Sequence, residues 1–314
     1  MKAVVAGAAG FIGSHVVDVL LEQGHSVIGV DSLVTGCVDN LATVSSHPEF
    51  ELIICDAGDA ALQKKLNKAN PDVIIDLASP ASPDDFLKIP EVILHAGSAV
   101  VMNLLKTATK TGARFVFSSS SEVYGDPEIH PQHEEYLGAV STSGPRSCYD
   151  ESKRFAEAAI TSLGRKFGIG FGIARLFNTY GPRMRADDGR VVSNFIHAAI
   201  TQQPLVIYGS GKQTRSFCYV SDTVSALLAI AISSDNMIVN VGNPIELTVE
   251  DLAKLVKSVT GSTSQIRYLE LPPERVGDPR RRKPDISRAK QILDWQPVVG
   301  IEEGLNKYFS TLAK

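Results

Sequence analysis

The chain has 314 residues, 31 of them basic and 35 acidic, for a formal net charge of −4. This length can bury a large core and predicts two lobes, while the balanced charge argues against a general nucleic-acid binder. Its four cysteines show no metal-ligand spacing, so we expect free thiols, a reducing cytosol and no metal. No signal peptide fits the N-terminus, and the longest apolar stretch, near 226–232, is too short for a bilayer, so we expect a cytoplasmic protein without a membrane partner.

The first predicted elements are typical of a dinucleotide-binding turn. A short apolar strand enters the glycine-rich run from Gly7 through Gly10 to Gly13, a helix follows, and a second strand ends at Asp31. The glycines allow a tight turn, backbone approach to a pyrophosphate and close helix packing, and the helix N-terminus attracts phosphate. Asp31 can bind both ribose hydroxyls and would repel a 2′-phosphate. NAD is therefore favoured over NADP, and a plain packing turn is the alternative.

Two further strands follow at 51–55 and 72–76. The first ends at Asp56, which we expect either beside the adenine or as a helix cap. The second runs into a proline-rich turn at 77–83, which can be neither helix nor central strand and is therefore a loop at a sheet edge.

The remaining pattern alternates helices with apolar strands. Helices are expected at 92–111 and 149–167, and strands at 170–176 and 237–241. The order predicts an α/β fold: a doubly wound parallel Rossmann sheet with a second, smaller, interleaved α/β substrate lobe. We assign residues 1–176 plus about 215–242 to the NAD-binding domain. The second, substrate lobe takes about 177–214 plus 243–314.

The candidate active site begins where a buried strand at 115–117 ends in four serines and Glu122. Ligands of open α/β sheets lie at the carboxyl ends of strands. Tyr149 and Lys153 follow at i and i+4 on a helix, where the ammonium is expected to lower the pKa of the phenol. We therefore group Ser120, Glu122, Tyr149 and Lys153 into one site. The alternatives are a solvated or capping acid at Glu122 and an ordinary helix-surface pair at Tyr149 and Lys153.

Four motifs carry a resemblance that runs nearly end to end. They are Gly7-x-x-Gly-x-x-Gly13, Tyr149-x-x-x-Lys153, Leu176-Phe-Asn178-Thr-Tyr-Gly-Pro-Arg183 and Gln213-Thr-Arg-Ser-Phe. With them the chain resembles the extended short-chain dehydrogenase/reductase enzymes that act on nucleotide sugars. Further runs narrow the resemblance to the UDP-glucuronate decarboxylases, also called UDP-xylose synthases: Leu77-Ala-Ser-Pro-Ala-Ser-Pro83, Ser121-Glu-Val-Tyr-Gly-Asp-Pro127, Asp188-Gly-Arg-Val-Val-Ser-Asn-Phe195 and Arg282-Lys-Pro-Asp-Ile286.

The resemblance implies a carboxy-lyase that uses NAD catalytically. Tyr149 would take the C4 hydroxyl proton of UDP-glucuronate as hydride passes to NAD, with Ser120 on the developing ketone and Lys153 holding the phenolate. The C4 ketone makes the C6 carboxylate a β-keto acid, which loses carbon dioxide to an enolate. Glu122, or a water that it positions, would handle the C5 proton, and Arg282 would contact the carboxylate or enolate. The product is UDP-xylose, or UDP-4-keto-pentose if the ketone is released.

Ser121 helps to choose among relatives. Sugar 4,6-dehydratases place Asp-Glu at this point to eliminate water, whereas this chain has Ser121-Glu122 and lacks that acid. The alternative activities are a nucleotide-sugar 4-epimerase or a 4,6-dehydratase. A non-catalytic NAD-binding protein is a further alternative, against which the complete Ser/Tyr/Lys set argues.

The motifs and the resemblance together predict the ligand contacts and the assembly. The catalytic set is Ser120, Ser121, Glu122, Tyr149, Lys153 and Arg282. The NAD set is Gly7, Gly10, Phe11, Ile12, Gly13, Asp31, Ser32, Asp56, Leu77, Ser79, Ser118, Tyr149, Lys153 and Thr179. The substrate set is Asn178, Arg190, Tyr208, Gln213, Arg215, Arg275 and Arg282, with Arg275 and Arg282 competing for the diphosphate. The helices at 92–111 and 149–167 resemble the family's dimer-forming four-helix bundle, so a homodimer is expected, with ordinary core packing as the alternative.

Overall fold

The structure is a computed structural model that describes residues 1–271 and 281–312. Within these residues the strands are β1 (Lys2–Ala6), β2 (Ser26–Asp31), β3 (Phe50–Ile54), β4 (Val73–Asp76), β5 (Arg114–Ser120), β6 (Phe171–Leu176), β7 (Thr179–Tyr180), β8 (Leu205–Tyr208), β9 (Thr214–Ser216), β10 (Cys218–Tyr219), β11 (Met237–Val241), β12 (Glu246–Thr248), β13 (Ile266–Leu269) and β14 (Arg281–Arg282).

The helices of the same residues are α1 (Phe11–Glu22), α2 (Ala60–Ala69), α3 (Asp85–Lys88), α4 (Pro90–His95), α5 (Val101–Thr111), α6 (Ser147–Phe167), α7 (Val191–Ile200), α8 (Val220–Ile232), α9 (Val249–Thr260), α10 (Ser287–Leu293) and α11 (Ile301–Leu312). Short 3₁₀ turns lie at Val38–Leu41 and Ser121–Tyr124.

A seven-stranded sheet of order β11-β6-β5-β4-β1-β2-β3 is the centre of the fold. All of its pairings are parallel, and its inner strands are nearly continuous apolar runs because both faces are covered. Helices α1 and α8 pack on one face through Leu20 and Leu227. Helices α2, α5 and α6 cover the other through Leu104 and Ile160. The predicted doubly wound Rossmann sheet is therefore confirmed.

The strand order reverses between β1 and β4, which are neighbours although two strands separate them in the chain. Loops that leave these strands diverge at their carboxyl ends and open a crevice there. The short sheets β12-β9-β14 and β13-β8, with α7 and α9, form a smaller α/β unit. After contributing β7 to β10, the chain returns to the large sheet at β11. The residue limits assigned above to the two lobes remain a prediction.

The helix expected at 92–111 begins earlier and is not uniform. It runs from Pro90, which suits a first helical position, and widens into a π-turn at Ala96–Val100 before α5. At this turn a Cβ on Gly97 would lie 2.5 Å from the Cβ of Ser152 in α6, so glycine permits the close approach of the two helices. By length and composition Pro90–Thr111 could span a membrane, but 56% of its most apolar window is buried within the protein, as in a core helix.

Candidate active site

One cleft with a volume of about 870 Å³ runs along the carboxyl edge of the large sheet and under the smaller unit. It is lined by every described residue that the sequence predicted for the site, namely Gly7, Gly10, Phe11, Ile12, Gly13, Asp31, Ser32, Asp56, Leu77, Ser79, Ser118, Ser120, Ser121, Glu122, Tyr149, Lys153, Asn178, Thr179, Arg190, Tyr208, Gln213, Arg215 and Arg282. Arg275 lies outside the described residues. The shared cleft places the predicted cofactor, catalytic and substrate sets next to one another, while their individual roles remain predictions.

The backbone of the glycine turn has a conformation and close contacts that only glycine allows at Gly7 and Gly13. Gly7 has a φ of +79°, and a Cβ on Gly13 would lie 1.9 Å from the Gly7 carbonyl oxygen. Gly10 occupies the N-cap of α1, where no side chain bonds the first N–H groups. These N–H groups belong to a helix start that lines the cleft, and the positive end of the helix dipole favours an anion there. The turn therefore fits the pyrophosphate of a dinucleotide.

Asp31 is held rigidly at the end of β2. One carboxylate oxygen accepts the Ala9 N–H at 2.8 Å and the other accepts the Leu33 N–H at 2.8 Å. Burial raises the pKa of this carboxyl, and the two backbone hydrogen bonds lower it. The fixed carboxylate beside the glycine turn fits the ribose of NAD.

Asp56 does not cap a helix, since the N-cap position of α2 belongs to Asp59. Its carboxylate accepts the Gly58 N–H at 2.6 Å and pairs with the His95 ring at 3.0 Å. The helix-cap alternative is therefore wrong, and Asp56 lies on the cleft wall within reach of a ligand.

Ser120 and Tyr149 meet on the cleft wall. The Ser120 hydroxyl accepts the Glu122 N–H at 3.2 Å, which caps the turn at Ser121–Tyr124, and it also hydrogen-bonds the Tyr149 phenol. Burial raises the pKa of Tyr149 to about 12, against the lowering effects of the Ser120 hydrogen bond and the Arg190 charge. The charge of Glu122 raises this pKa further.

Lys153 lies one turn of α6 after Tyr149, and the backbone of β5 holds its ammonium. Its ammonium donates to the Ser118 carbonyl at 2.9 Å and lies 5.6 Å from the centre of the Tyr149 ring. Burial lowers the pKa of Lys153 to about 8, while the charges of Asp76 and Glu157 raise it. The net pKa of Tyr149 is raised rather than lowered because burial outweighs the charges around the phenol, and the role of Lys153 in holding the phenolate stays a prediction.

Glu122 is the centre of a buried ion cluster. Arg282 holds it with two hydrogen bonds, at 2.5 and 2.8 Å, and the Arg146 guanidinium lies 2.8 Å from the second oxygen. Burial raises the pKa of Glu122, but the charges of Arg282 and Arg146 outweigh it and lower the value to about 2. Glu122 is therefore neither solvated nor merely a capping acid. A carboxylate ionised this strongly is a poor proton donor, which favours a positioned water over Glu122 itself at C5.

Sequence reasoning missed two residues that flank Tyr149, namely Arg146 at the N-cap of α6 and Asp150 in its first turn. Arg146 lies three positions before Tyr149, a spacing that puts both side chains on one face of a helix and could have revealed it. Asp150 is buried with one oxygen lacking a hydrogen-bond partner among the described residues. Burial, followed by the charge of Glu122, raises its pKa to about 7.

Most of the predicted substrate residues lie on or next to the smaller unit, while Asn178 follows β6 of the large sheet. Local hydrogen bonds orient them. Gln213 donates to the Tyr208 carbonyl at 2.9 Å, and Arg215 donates to the Thr214 carbonyl at 2.8 Å. Asn178 donates to the Ser216 carbonyl at 3.4 Å, and Arg190 forms a partly buried pair with Asp188 at 2.8 Å. Arg275 and Arg282 are the two candidates for binding the diphosphate. Glu122 holds Arg282 beside Tyr149, and this position favours contact of Arg282 with the sugar end of the substrate.

The arrangement suits acid–base chemistry on a polar substrate beside a dinucleotide. A phenol and a hydroxyl share a hydrogen bond, and a lysine and two arginines place positive charge around them. Among residues 1–271 and 281–312, no cluster of three or more His, Cys, Asp or Glu side chains could hold a metal ion.

Known proteins agree with this architecture. UDP-glucuronic acid decarboxylase 1 of Danio rerio is 46% identical over 312 residues, which cover 98% of this chain and 72% of that protein. UDP-glucuronic acid decarboxylase 5 of Arabidopsis thaliana is 46% identical over 306 residues, covering 97% of this chain and 87% of the relative.

Among solved structures, a UDP-glucose 4-epimerase of Thermotoga maritima with UDP-glucose matches with a TM-score of 0.92 and 30% identity, covering 100% of this chain and 99% of that one. A UDP-glucuronic acid 4-epimerase of Bacillus cereus, in complex with UDP-glucuronic acid and NAD, matches with a TM-score of 0.89 and 27% identity, with coverage of 100% and 99%. The model of the NAD dependent epimerase/dehydratase family matches residues 3–242. The chain therefore belongs to the NAD-dependent epimerase/dehydratase family.

Proposed function

We propose that this protein is a UDP-glucuronate decarboxylase, a carboxy-lyase that converts UDP-glucuronate to UDP-xylose through a C4-keto intermediate with NAD used catalytically. The observation that carries the proposal is the cluster of Glu122, Arg282 and Arg146 on the same cleft wall as Ser120 and Tyr149. It puts guanidinium groups, which can bind the carboxylate of the substrate, beside a phenol that can take the proton of the C4 carbinol. The relatives named UDP-glucuronic acid decarboxylase support the same activity.

The oxidation step needs a base at the C4 hydroxyl and a donor to the ketone oxygen. Bound NAD would accept the hydride from C4 and, as NADH, would return it to the C4 ketone after decarboxylation to give UDP-xylose. Tyr149 takes the hydroxyl proton, and the groups that lower its pKa in the structure are Ser120 and Arg190. Ser120 stabilises the developing ketone, and Lys153, held by the Ser118 carbonyl, contributes positive charge behind the phenol.

The decarboxylation step needs little from the protein beyond charge and orientation. Once C4 is a ketone, the C6 carboxylate is a β-keto acid, and the electrons of the breaking C5–C6 bond pass to the C4 oxygen as carbon dioxide leaves. Arg282 orients the carboxylate and stabilises the enolate. Glu122 remains ionised, so we assign it to holding Arg282 and a water that returns the proton to C5.

A nucleotide-sugar 4-epimerase is the second candidate, because the similar solved structures include UDP-sugar 4-epimerases. These match at 30% identity or below, whereas the decarboxylases match at 46%. A 4-epimerase keeps C6, so it has no need of a charge cluster that promotes loss of a carboxylate.

One incubation distinguishes the candidates. The protein is mixed with NAD and UDP-glucuronate, and both the carbon dioxide released and the product mass are measured. We expect release of one carbon dioxide per product, with the mass of UDP-xylose or of UDP-4-keto-pentose. Turnover of UDP-glucuronate, UDP-glucose or UDP-galactose without carbon dioxide and without a change of mass would instead establish an epimerase. A product lighter by one water would establish a dehydratase, and no turnover of any of the three would establish a non-catalytic protein.

We also propose a homodimer formed by α4, α5 and α6, and a cytoplasmic location. Leu94 on α4 and Phe155 on α6 are 48% and 50% exposed, which leaves apolar side chains for a partner to cover.

The four cysteines are free thiols, as in proteins of a reducing compartment. Cell fractionation with detection of the protein tests the location, and recovery mainly with membranes would contradict it.

A further inference from the structure

Phe86 contacts two side chains of the active site at once. Its ring is stacked on the Tyr149 ring, with centroids 4.8 Å apart and an interplanar angle of 15°. The Arg146 guanidinium carbon lies 5.2 Å from the centre of the same ring, within the range of a cation–π contact. Phe86 is 3% exposed, so these contacts form away from water.

Helix α6 also holds the backbone of Phe86. The Cys148 thiol donates to the Phe86 carbonyl at 3.4 Å. Arg146, Cys148 and Tyr149 therefore contact Phe86 from neighbouring positions of one helix end. The ring of Phe86 cannot move without changing its contacts with the phenol and the guanidinium.

The loop at 77–83 and the helical turn α3, which carries Phe86, are held by residues that precede α7. Asp85, the preceding residue, accepts a hydrogen bond from Arg185 at 3.1 Å. The Ser82 hydroxyl donates to the Asp188 carbonyl. The segment at 185–188 therefore fixes the loop, and the loop fixes the ring.

We propose that Phe86 is a positioning residue that sets the orientation of Tyr149 and Arg146 for the oxidation and decarboxylation steps. This inference rests on the proposed function. A stacked aromatic pair restricts ring rotation, and a cation over a ring face restricts the guanidinium. Phe86 thus aligns the phenol oxygen with Ser120 and keeps Arg146 on Glu122. A leucine side chain is smaller than the ring, so it imposes neither orientation and leaves part of the space unfilled.

The test compares Phe86→Leu with Phe86→Tyr, which keeps the ring, and with Leu87→Ala, an exposed neighbour on the same helical turn. For Phe86→Leu we expect kcat to fall by about 10- to 100-fold, with KM for UDP-glucuronate changed less than about 3-fold, since misplacement acts on the reacting geometry. Phe86→Tyr and Leu87→Ala should stay within about 3-fold of the parent. Phe86→Met replaces Phe86→Leu if circular dichroism shows that the latter is unfolded.

An isotope effect separates positioning from loss of folded enzyme. With UDP-glucuronate deuterated at C4, a misplaced Tyr149 makes oxidation more rate-limiting, so the primary isotope effect on kcat should rise in Phe86→Leu. A smaller active fraction would lower kcat and leave the isotope effect unchanged. Parent-like kcat in Phe86→Leu, or a loss with no rise in the isotope effect, overturns the proposal.

A readout without turnover keeps this inference distinct from the proposed function. The pKa of the Tyr149 phenol is measured by ultraviolet titration of each protein. The titration curve of the Tyr149→Phe counterpart is subtracted, so that the difference reports on Tyr149. Because burial is the main cause of its raised pKa, loss of the ring should admit water and move the pKa downward. An unchanged pKa of Tyr149 would overturn the proposal for Phe86, whether or not the parent releases carbon dioxide. Absence of carbon dioxide release by the parent would by itself reject only the proposed function.

Discussion

Tyr149 lies beside a lysine, yet its phenol is harder to ionise in this structure than a phenol in water. Burial raises its pKa to about 12, and the groups that oppose the rise are Ser120 and Arg190. Sequence spacing identifies the Tyr/Lys pair but contains no information on the water that burial removes. At the residue scale, desolvation decides the protonation state more than the nearest charge does.

Replacement of Tyr149 by phenylalanine removes the phenol oxygen and little else. We expect Tyr149→Phe to lower carbon dioxide release from UDP-glucuronate by at least about 100-fold, because no other group takes the C4 proton. NAD affinity, measured by calorimetry, should stay within about 3-fold of the parent. Carbon dioxide release near the parent rate would show that Tyr149 has another role.

Asp76 is fully buried at the end of β4, and one of its oxygens has no hydrogen-bond partner among the described residues. Burial raises its pKa to about 6 despite the charge of Lys153, from an ordinary value near 4. The folded state therefore binds this proton more tightly than the unfolded state, and the parent loses stability as pH rises from about 4 to about 6. Ionisation of Asp76 is a cost to the folded protein at neutral pH.

Asparagine at this position does not titrate, so Asp76→Asn should be more stable than the parent above about pH 6, by about 1–3 kcal/mol. The difference should shrink as pH falls through 6 towards 4, as measured by urea unfolding at several pH values. The exposed Asp39→Asn is the control and should follow the parent. Equal pH dependence in Asp76→Asn and the parent would contradict the argument.

At the scale of elements, the glycine turn shows why a local motif predicts so well. A Cβ on Gly13 would lie 1.9 Å from the Gly7 carbonyl oxygen, so this contact joins α1 to the turn that directly follows β1. The turn, the helix start and Asp31 all lie within the first 31 residues. A short segment thus contains most of what is needed to fit NAD.

We expect Gly13→Ala to push α1 away from β1 and to weaken NAD binding by at least about 10-fold, with a loss of about 1–3 kcal/mol in stability. Calorimetric titration with NAD and thermal unfolding measure the two effects. Gly170→Ala is the matched control, because a Cβ there would make only an ordinary 3.5 Å contact. Unchanged NAD affinity in Gly13→Ala would mean that the turn does not hold the cofactor.

The proline-rich loop shows the opposite case. Its prolines correctly exclude helix and strand at 77–83, but the single helical turn that follows and the ring it carries depend on α6 and on the segment at 185–188. These partners are distant in sequence. Local pattern therefore identifies the loop, and only packing reveals what it supports.

At the scale of the whole molecule, the two lobes are built from alternating stretches of one chain. Arg282 lies on β14, which pairs with β9 of the smaller unit, and meets Glu122 at the end of the large sheet. This contact joins residues 160 positions apart. The active site is thus assembled only when the units close on each other.

The proposed dimer depends on the exposed apolar side chains of Leu94 on α4 and Phe155 on α6. We expect Phe155→Arg to convert a dimer into a monomer in sedimentation velocity, because a charge at an apolar interface must be desolvated. Ile232→Arg, on α8 and 75% exposed in the parent, is the control and should leave the assembly unchanged. A parent that sediments as a monomer at micromolar concentration would reject the dimer.

Taken alone, the amino-acid sequence determined the Rossmann sheet, the glycine turn, Asp31 and the meeting of Ser120 with Tyr149. These follow from strand and helix periodicity and from the rule that parallel strands present ligands at their carboxyl ends. The tertiary structure decided the ion cluster at Glu122, the direction of the Tyr149 pKa and the stacking of Phe86. Those properties are sums over neighbours that come together only in space, and desolvation and packing have no local signature in the chain.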